Sequence, residues 1–212
     1  MRVTRGRMCF NLRSGLPHEW RAVGATRILF ISFDVTSPSE LMNSPAAVNL
    51  LFTSGNCLDI QLATDPRADP KRETPVPGDV RLLVLRQNDK AFVALYQAKV
   101  RDFEGEPIVL TSPTGKESFD EITVVVNVGL KCEKTPAGFR AVVSVPFELI
   151  GLTLEKGRPV RIDLGFVCGN AVGTQGAVRS SLFNRSFSAN VVNDIPNESR
   201  LEPADWGLGT VE

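Results

Sequence analysis

Val160 to Phe187, VRIDLGFVCGNAVGTQGAVRSSLFNRSF, reads as a strand, a glycine-rich loop and a second strand. Val160, Ile162, Leu164 and Phe166 alternate with Arg161, Asp163, Gly165 and Val167. Side chains two apart share a face of a strand, so one face is apolar and the other opens with Arg161 and Asp163. Gly169, Gly173 and Gly176 break the alternation and are expected to supply positive φ for a wide turn. Arg179 then enters the second strand, followed by Leu182, Phe183 and Asn184. Any ligand is expected at this strand pair and its loop.

The same character extends in both directions. Upstream, Phe139, Ala141, Val143 and Val145 alternate with Arg140, Val142 and Ser144, and Ile122 to Val128 is the expected partner strand. Pro146 opens PFELIGL, one short helical turn ending at Gly151. Asp79 to Arg86 and Ala91 to Ala98 form a hairpin, and Arg101 to Lys116 reads as less ordered. Ala47 to Phe52 and Cys57 to Ala63 read as two strands joined by Ser54-Gly55-Asn56. Between the hairpins runs Thr64 to Gly78, TDPRADPKRETPVPG, whose four prolines and charges forbid a sheet interior. It reads as an excursion rather than a linker, because the strand pattern resumes beyond it. Arg27 to Val35 is a further strand, residues 1–24 are basic and irregular, and the tail NDIPNESRLEPADWG is turn-rich. The sum is an all-β, antiparallel, jelly-roll-like sandwich of about nine or ten strands over residues 25–212, preceded by the segment 1–24.

Charge and cysteine content narrow the function classes. Lysine plus arginine totals 24 and aspartate plus glutamate totals 24, which disfavours a phosphate-binding surface for nucleic acid or a polybasic membrane patch. No apolar run is long enough to span a bilayer, and the basic N-terminus lacks the apolar core of a secretory signal. Cys9, Cys57, Cys132 and Cys168 are far apart and His18 is the one histidine, so a Cys/His zinc site is not expected. Cys57 and Cys168 stand beside apolar strand residues and read as buried thiols. No Ser-His-Asp set and no phosphate loop leading into a helix is present, so the chain reads as a non-enzyme.

The order of short motifs carries a resemblance. FTSG-CLDIQLATDPRADP, then TPVPGDVRLLVL, SVPFELIGL, IDLGFV, R-x4-N at Arg179 and Asn184, and finally NDIP-ES-LEPADWG follow one another along the chain. This order resembles carbohydrate-binding module family 9-like domains, especially the group in large secreted bacterial proteins, over roughly Thr26 to Val211. The resemblance implies a sandwich of two antiparallel sheets and structural calcium in some members. Binding members hold the end of a sugar chain between two aromatic rings, whose faces suit the C–H faces of a pyranose. It also implies a glycan partner and an extracellular or periplasmic location; a monomer is expected. Members commonly carry Tyr-Trp shortly after the arginine matching Arg179. Here Ser180-Ser181-Leu182-Phe183 stands there, and Leu182 or Phe183 occupies the tryptophan position.

Arg179, Phe183 and Asn184 are thus the first candidates for sugar contact, with Arg81 and Trp20 beside them. Arginine offers a fork of donors and an amide offers both donor and acceptor, a set suited to vicinal hydroxyls. The alternative for Arg179 is a buried structural arginine paired with Asp163 or Asp79. For Asp79 and Arg81 it is an intra-sheet ion pair that anchors the long loop. Asp65 and Asp69, with Asp59 near them, are candidate calcium ligands, since calcium takes about six to eight oxygens. A solvated turn with proline after each aspartate competes with that reading.

Overall fold

The alternation read from the sequence becomes a two-faced sheet with a different cover on each face. A computed structural model describes residues 27–37, 41, 43, 47–53, 55–87, 90–169, 176–184 and 195–210. Its strands are β1 (Ile28–Thr36), β2 (Cys57–Ala63), β3 (Asp79–Gln87), β4 (Lys90–Gln97), β5 (Ile108–Ser112) and β6 (Gly115–Phe119). They continue with β7 (Glu121–Val125), β8 (Gly129–Thr135), β9 (Gly138–Pro146), β10 (Pro159–Gly169), β11 (Gly176–Ser181) and β12 (Gly207–Thr210). One sheet has the order β1-β9-β8. The larger runs β11-β10-β2-β3-β4-β7, with β12 also paired to β10, and β5-β6 form a separate hairpin. All pairings are antiparallel.

The main core lies between the two sheets. Leu58, Ile60 and Leu62 of β2, Val80, Leu82 and Val84 of β3, and Ile162, Leu164 and Phe166 of β10 meet Leu29, Ile31 and Phe33 of β1 and Phe139, Ala141 and Val143 of β9. Phe139 and Phe166 touch edge to face across the gap, with ring centroids 5.6 Å apart. The opposite face of the large sheet is also buried. Leu83, Leu85, Ala94, Tyr96 and Val167 pack there against Leu51, Phe52, Leu110, Phe119, Leu201 and Trp206. Those covering residues come from a 3-10 turn (Val48–Thr53), the β5-β6 hairpin, and a C-terminal segment containing helix α1 (Ile195–Ser199) and the turn Pro203–Asp205. Burial on both faces explains why β2 and β3 are nearly continuous apolar runs, interrupted by Asp59, Gln61, Asp79 and Arg81.

The antiparallel sandwich stands as read, with differences in detail. There are twelve strands among the described residues rather than nine or ten. Ala47 to Phe52 is not a strand but the 3-10 turn, which drops Leu51 and Phe52 onto the large sheet. A short apolar run has no period long enough to separate the two. Arg101 to Lys116 contains β5 and the start of β6. Ile122 to Val128 does not pair with Phe139 to Val145; β7 joins β4, while β9 lies between β1 and β8. Strand β8 was hidden by its exposed Lys131 and Glu133, which face solvent while Leu130 and Cys132 face the core. Gly169 is an extended strand residue, not a left-handed turn. A Cβ there would stand 2.8 Å from the Cα of Gly55, so close approach is what requires glycine. Gly173 lies outside the described residues.

Thr64 to Gly78 folds back on itself. The amide of Thr64 donates to the carbonyl of Gly78 at 2.7 Å, and its hydroxyl donates to the same oxygen at 2.9 Å. Gly78 sits at φ +97°, a region that favours glycine. Asp79 accepts two hydrogen bonds from the Arg72 guanidinium, from Nε at 2.8 Å and from Nη2, and a third from the amide of Val76 at 3.0 Å. An ion pair on Asp79 does anchor the loop, but it is not the expected intra-sheet pair with Arg81. Asp79 pairs with Arg72 of the loop itself, and Arg81 pairs with Asp59. Among the described residues no helix is long and apolar enough to cross a membrane.

Candidate functional site

Alternation on β2, β3, β10 and β11 places Asp59, Arg81, Asp163 and Arg179 on the covered outer face of the large sheet. Registers Asp59↔Leu83, Gly165↔Asp59 and Val167↔Arg179 bring three of them to one point. Arg81 grips Asp59 with a fork, Nε to Oδ1 at 2.9 Å and Nη2 to Oδ2 at 2.8 Å. Nη2 of Arg179 donates to the same Oδ2. Arg81 Nη1 donates to the carbonyls of Glu198 at 2.8 Å and Ser199 at 3.0 Å, the last turn of α1. Arg179 Nη1 donates to the carbonyl of Glu198 at 3.0 Å and lies 3.4 Å from its carboxylate. Helix-end carbonyls lack partners within the helix, and two guanidiniums supply them here. The Arg81 guanidinium also lies 5.6 Å from the centroid of the Phe52 ring.

Arg81, Asp59 and Arg179 expose 0%, 1% and 2% of their surface. Burial pushes the Asp59 carboxyl up and the Arg81 guanidinium pulls it down. Gly165 makes room for this cluster: a Cβ would meet the carbonyl oxygen of Ser180 at 2.8 Å and Cβ of Asp59 at 3.5 Å. The neighbouring Cys57 thiol is pushed up by burial first and by Asp59 second.

The same C-terminal segment is held at further points. Arg161 Nη1 donates to the carbonyls of Pro203 at 2.8 Å, Ala204 at 3.1 Å and Trp206 at 3.0 Å. Trp206 Nε1 donates to Gln61 Oε1 at 3.1 Å, and Asn184 Nδ2 donates to Glu202 Oε2 at 3.1 Å. Asp163 shapes the approach: its Oδ1 accepts the amides of Leu164 at 2.9 Å and Phe183 at 3.0 Å, and its Oδ2 accepts the Ser181 hydroxyl. Burial raises the Asp163 carboxyl, while these donors oppose the rise. The outer face of the sheet is thus a row of donors aimed at residues 195–206.

A second place is open. Beside the base of the 64–78 loop lies a cleft of about 600 Å³, bounded by the start of β3, the end of β4 and the turn after β9. Val80, Leu95, Leu149 and Ile150 contribute apolar surface, and Arg67, Gln97, Lys99, Arg101 and Glu155 line it with polar groups. Asp65 sits among them. Its Oδ1 accepts the Arg67 amide at 2.9 Å and Nε at 3.0 Å, its Oδ2 accepts Nη2 at 3.2 Å, and Arg101 lies 3.7 Å away. The Arg67 guanidinium holds the Asp65 carboxyl below the usual carboxylate range. The side chains of Arg67 and Arg101 remain 74% and 69% exposed.

The sequence-derived candidates therefore separate. Arg81, Arg179 and Asn184 come together, but around the chain's own C-terminal segment. The partner of Arg179 is Asp59, not Asp163 or Asp79. Phe183 is 42% exposed, and its ring lies 2.5 Å from where a Cβ on Gly207 would be. Trp20 lies outside the described residues.

Asp65 and Asp69 do not fit a calcium site. Asp65 is bracketed by two guanidiniums, and Asp69 Oδ1 accepts the Lys71 amide at 2.8 Å while its carbonyl accepts Arg72 Nη1 at 2.8 Å. Cations in those places oppose a cage of hard anions. Among the described residues no three His, Cys, Asp or Glu side chains cluster to hold a metal.

Sequence reasoning missed Asp59 as the centre of the buried cluster, Glu198 and Ser199 as its far side, and the cleft. An aspartate inside a largely apolar strand, CLDIQLA, was the available signal for the first. No family model, curated protein or solved structure matches this chain.

Proposed function

We propose that the chain is a non-catalytic, carbohydrate-binding-module-like β-sandwich that holds a glycan in the cleft beside the 64–78 loop. The observation that carries this reading is the cleft itself, about 600 Å³ with an apolar floor and a rim of guanidinium, amide and carboxylate groups. That volume lies in the range of ligand sites, and forked polar groups over apolar surface suit a sugar's hydroxyls and C–H faces. The motif order from FTSG to LEPADWG, which resembles the family 9-like modules, supports the class and an exported, bacterial setting. No catalytic residue is assigned. The fully buried carboxylate Asp59 is already engaged by two arginines.

A second reading is a structural or protein-interaction sandwich of the same fold. It is favoured by one specific observation: Arg81, Arg179 and Asn184 are spent inside the molecule. Calorimetric titration with a panel of neutral and charged oligosaccharides separates the two readings. The glycan reading expects saturable heat that disappears in the double variant Arg67→Ala, Arg101→Ala. Loss in Phe183→Ala instead would move the site to the β11–β12 edge. Silence across the whole panel would leave the structural reading.

A further inference from the structure

We propose that the cleft recognises an anionic substituent on its saccharide, a sulfate ester or a carboxylate, through Arg67 and Arg101. This rests on the glycan reading above and adds the chemistry of the ligand. A smaller hollow of about 110 Å³ adjoins the cleft and shares Asp65, Pro66 and Arg67 with it. Together the two are lined by Arg67, Arg72, Lys99, Arg101, Arg158 and Arg161, against the carboxylates of Asp65 and Glu155. The chain as a whole carries 24 basic and 24 acidic residues, so this balance is a local concentration of positive charge.

The partners of those cations sharpen the point. Arg72 is paired with Asp79, Lys99 lies 3.7 Å from Asp120, and Arg158 lies 3.6 Å from Glu155. Arg161 makes its hydrogen bonds to the carbonyls of Pro70, Pro203, Ala204 and Trp206, which carry no net charge. Among the described residues Asp65 is the carboxylate within ion-pair distance of both Arg67 and Arg101, at 3.0 Å and 3.7 Å. One carboxylate for two guanidiniums leaves the pair net positive. A tetrahedral sulfate or a planar carboxylate matches the guanidinium fork, and the concave wall focuses the field on it. No aromatic side chain lines either hollow among the described residues, so stacking on a neutral ring has no platform there.

The test titrates the full chain with unmodified dextran, dextran sulfate, carboxymethyl-dextran and inorganic polyphosphate. Dextran sulfate or carboxymethyl-dextran is expected to bind about tenfold or more tightly than dextran, the change that one lost charge-assisted contact produces. Arg67→Ala with Arg101→Ala is expected to remove that preference, while Lys116→Ala, outside the cleft, leaves it unchanged. Asp65→Asn keeps the turn acceptor and deletes the competing charge, so it is expected to tighten anion binding. A calcium role for Asp65 would instead weaken binding in that variant.

Dextran bound as tightly as its charged forms would overturn the anion inference and leave the glycan reading standing. Polyphosphate bound as well as dextran sulfate, through the same arginines, would retain the anion site and sink the glycan reading. No binding of any probe would overturn both.

Discussion

Two arginine–carboxylate clusters on the same sandwich behave oppositely because one is roofed and the other is open. Under the C-terminal segment, Asp59, Arg81 and Arg179 are excluded from water and each forked donor has an acceptor. At the cleft, Arg67 and Arg101 share Asp65 while most of their surface is wet. A buried ion pair is costly to break, because a lone charge is stranded in low dielectric, whereas an exposed pair contributes little to stability and can exchange partners. The residue type is the same in both places. What differs is the cover, and the cover turns one set of arginines into a clamp and leaves the other able to meet a ligand.

The comparison can be broken most severely at Asp59. Asp59→Ala strands two buried guanidiniums and is expected to cost about 3–5 kcal/mol of folding stability in urea denaturation. A loss below about 1 kcal/mol would mean that the cluster is solvated and that the contrast with the cleft is false. Gly165→Ala probes the same cluster through space rather than charge. Its new methyl would crowd the Ser180 carbonyl, with an expected cost of about 1–3 kcal/mol. An unchanged midpoint would show that β10 and β11 yield freely there.

Asp163 gives the smallest effect and reads out by pH. Its folded carboxyl is raised from the ordinary value of 3.8, so the folded state holds this proton more tightly than the unfolded state does. Its contribution favours the fold below that ordinary value and declines as pH rises through the folded-state value. Asp163→Asn keeps an acceptor for the Leu164 and Phe183 amides and is expected to flatten that decline in a series of thermal melts. A steeper decline in the variant would reverse the sign assigned to Asp163.

The sequence made the sandwich legible wherever a strand has one polar face, as in β9 and in the first half of β10. The doubly buried β2 and β3 were legible too, as short apolar runs bounded by turn signals. The sequence misled where a run was too short to show a period, as at Val48–Thr53. Arg179 and Asn184 were legible as special positions, and NDIPNESRLEPADWG as a special tail. That the first hold the second was not legible, because the pairing spans β11 and the helix α1 and depends on a register no local pattern encodes. The alternative weighed for Arg179, a buried structural arginine, had the right chemistry but named the wrong aspartates. Asp59 was the hidden partner, set in place by the β2–β10–β11 registers. The cleft was equally hidden, since Asp65, Arg101 and Leu149 meet only after the loop, β4 and the turn after β9 converge.

The central claim is that the sheet arginines serve the fold by latching residues 195–206. Hydrogen exchange on Arg179→Lys tests it directly, since lysine keeps the charge but loses the fork that spans Asp59 and Glu198. The account expects faster amide exchange confined to 195–206, by about tenfold or more, with β8 and β9 protected as before. Unchanged protection of that segment, alongside loss of saccharide binding, would contradict it and return Arg179 to the ligand site.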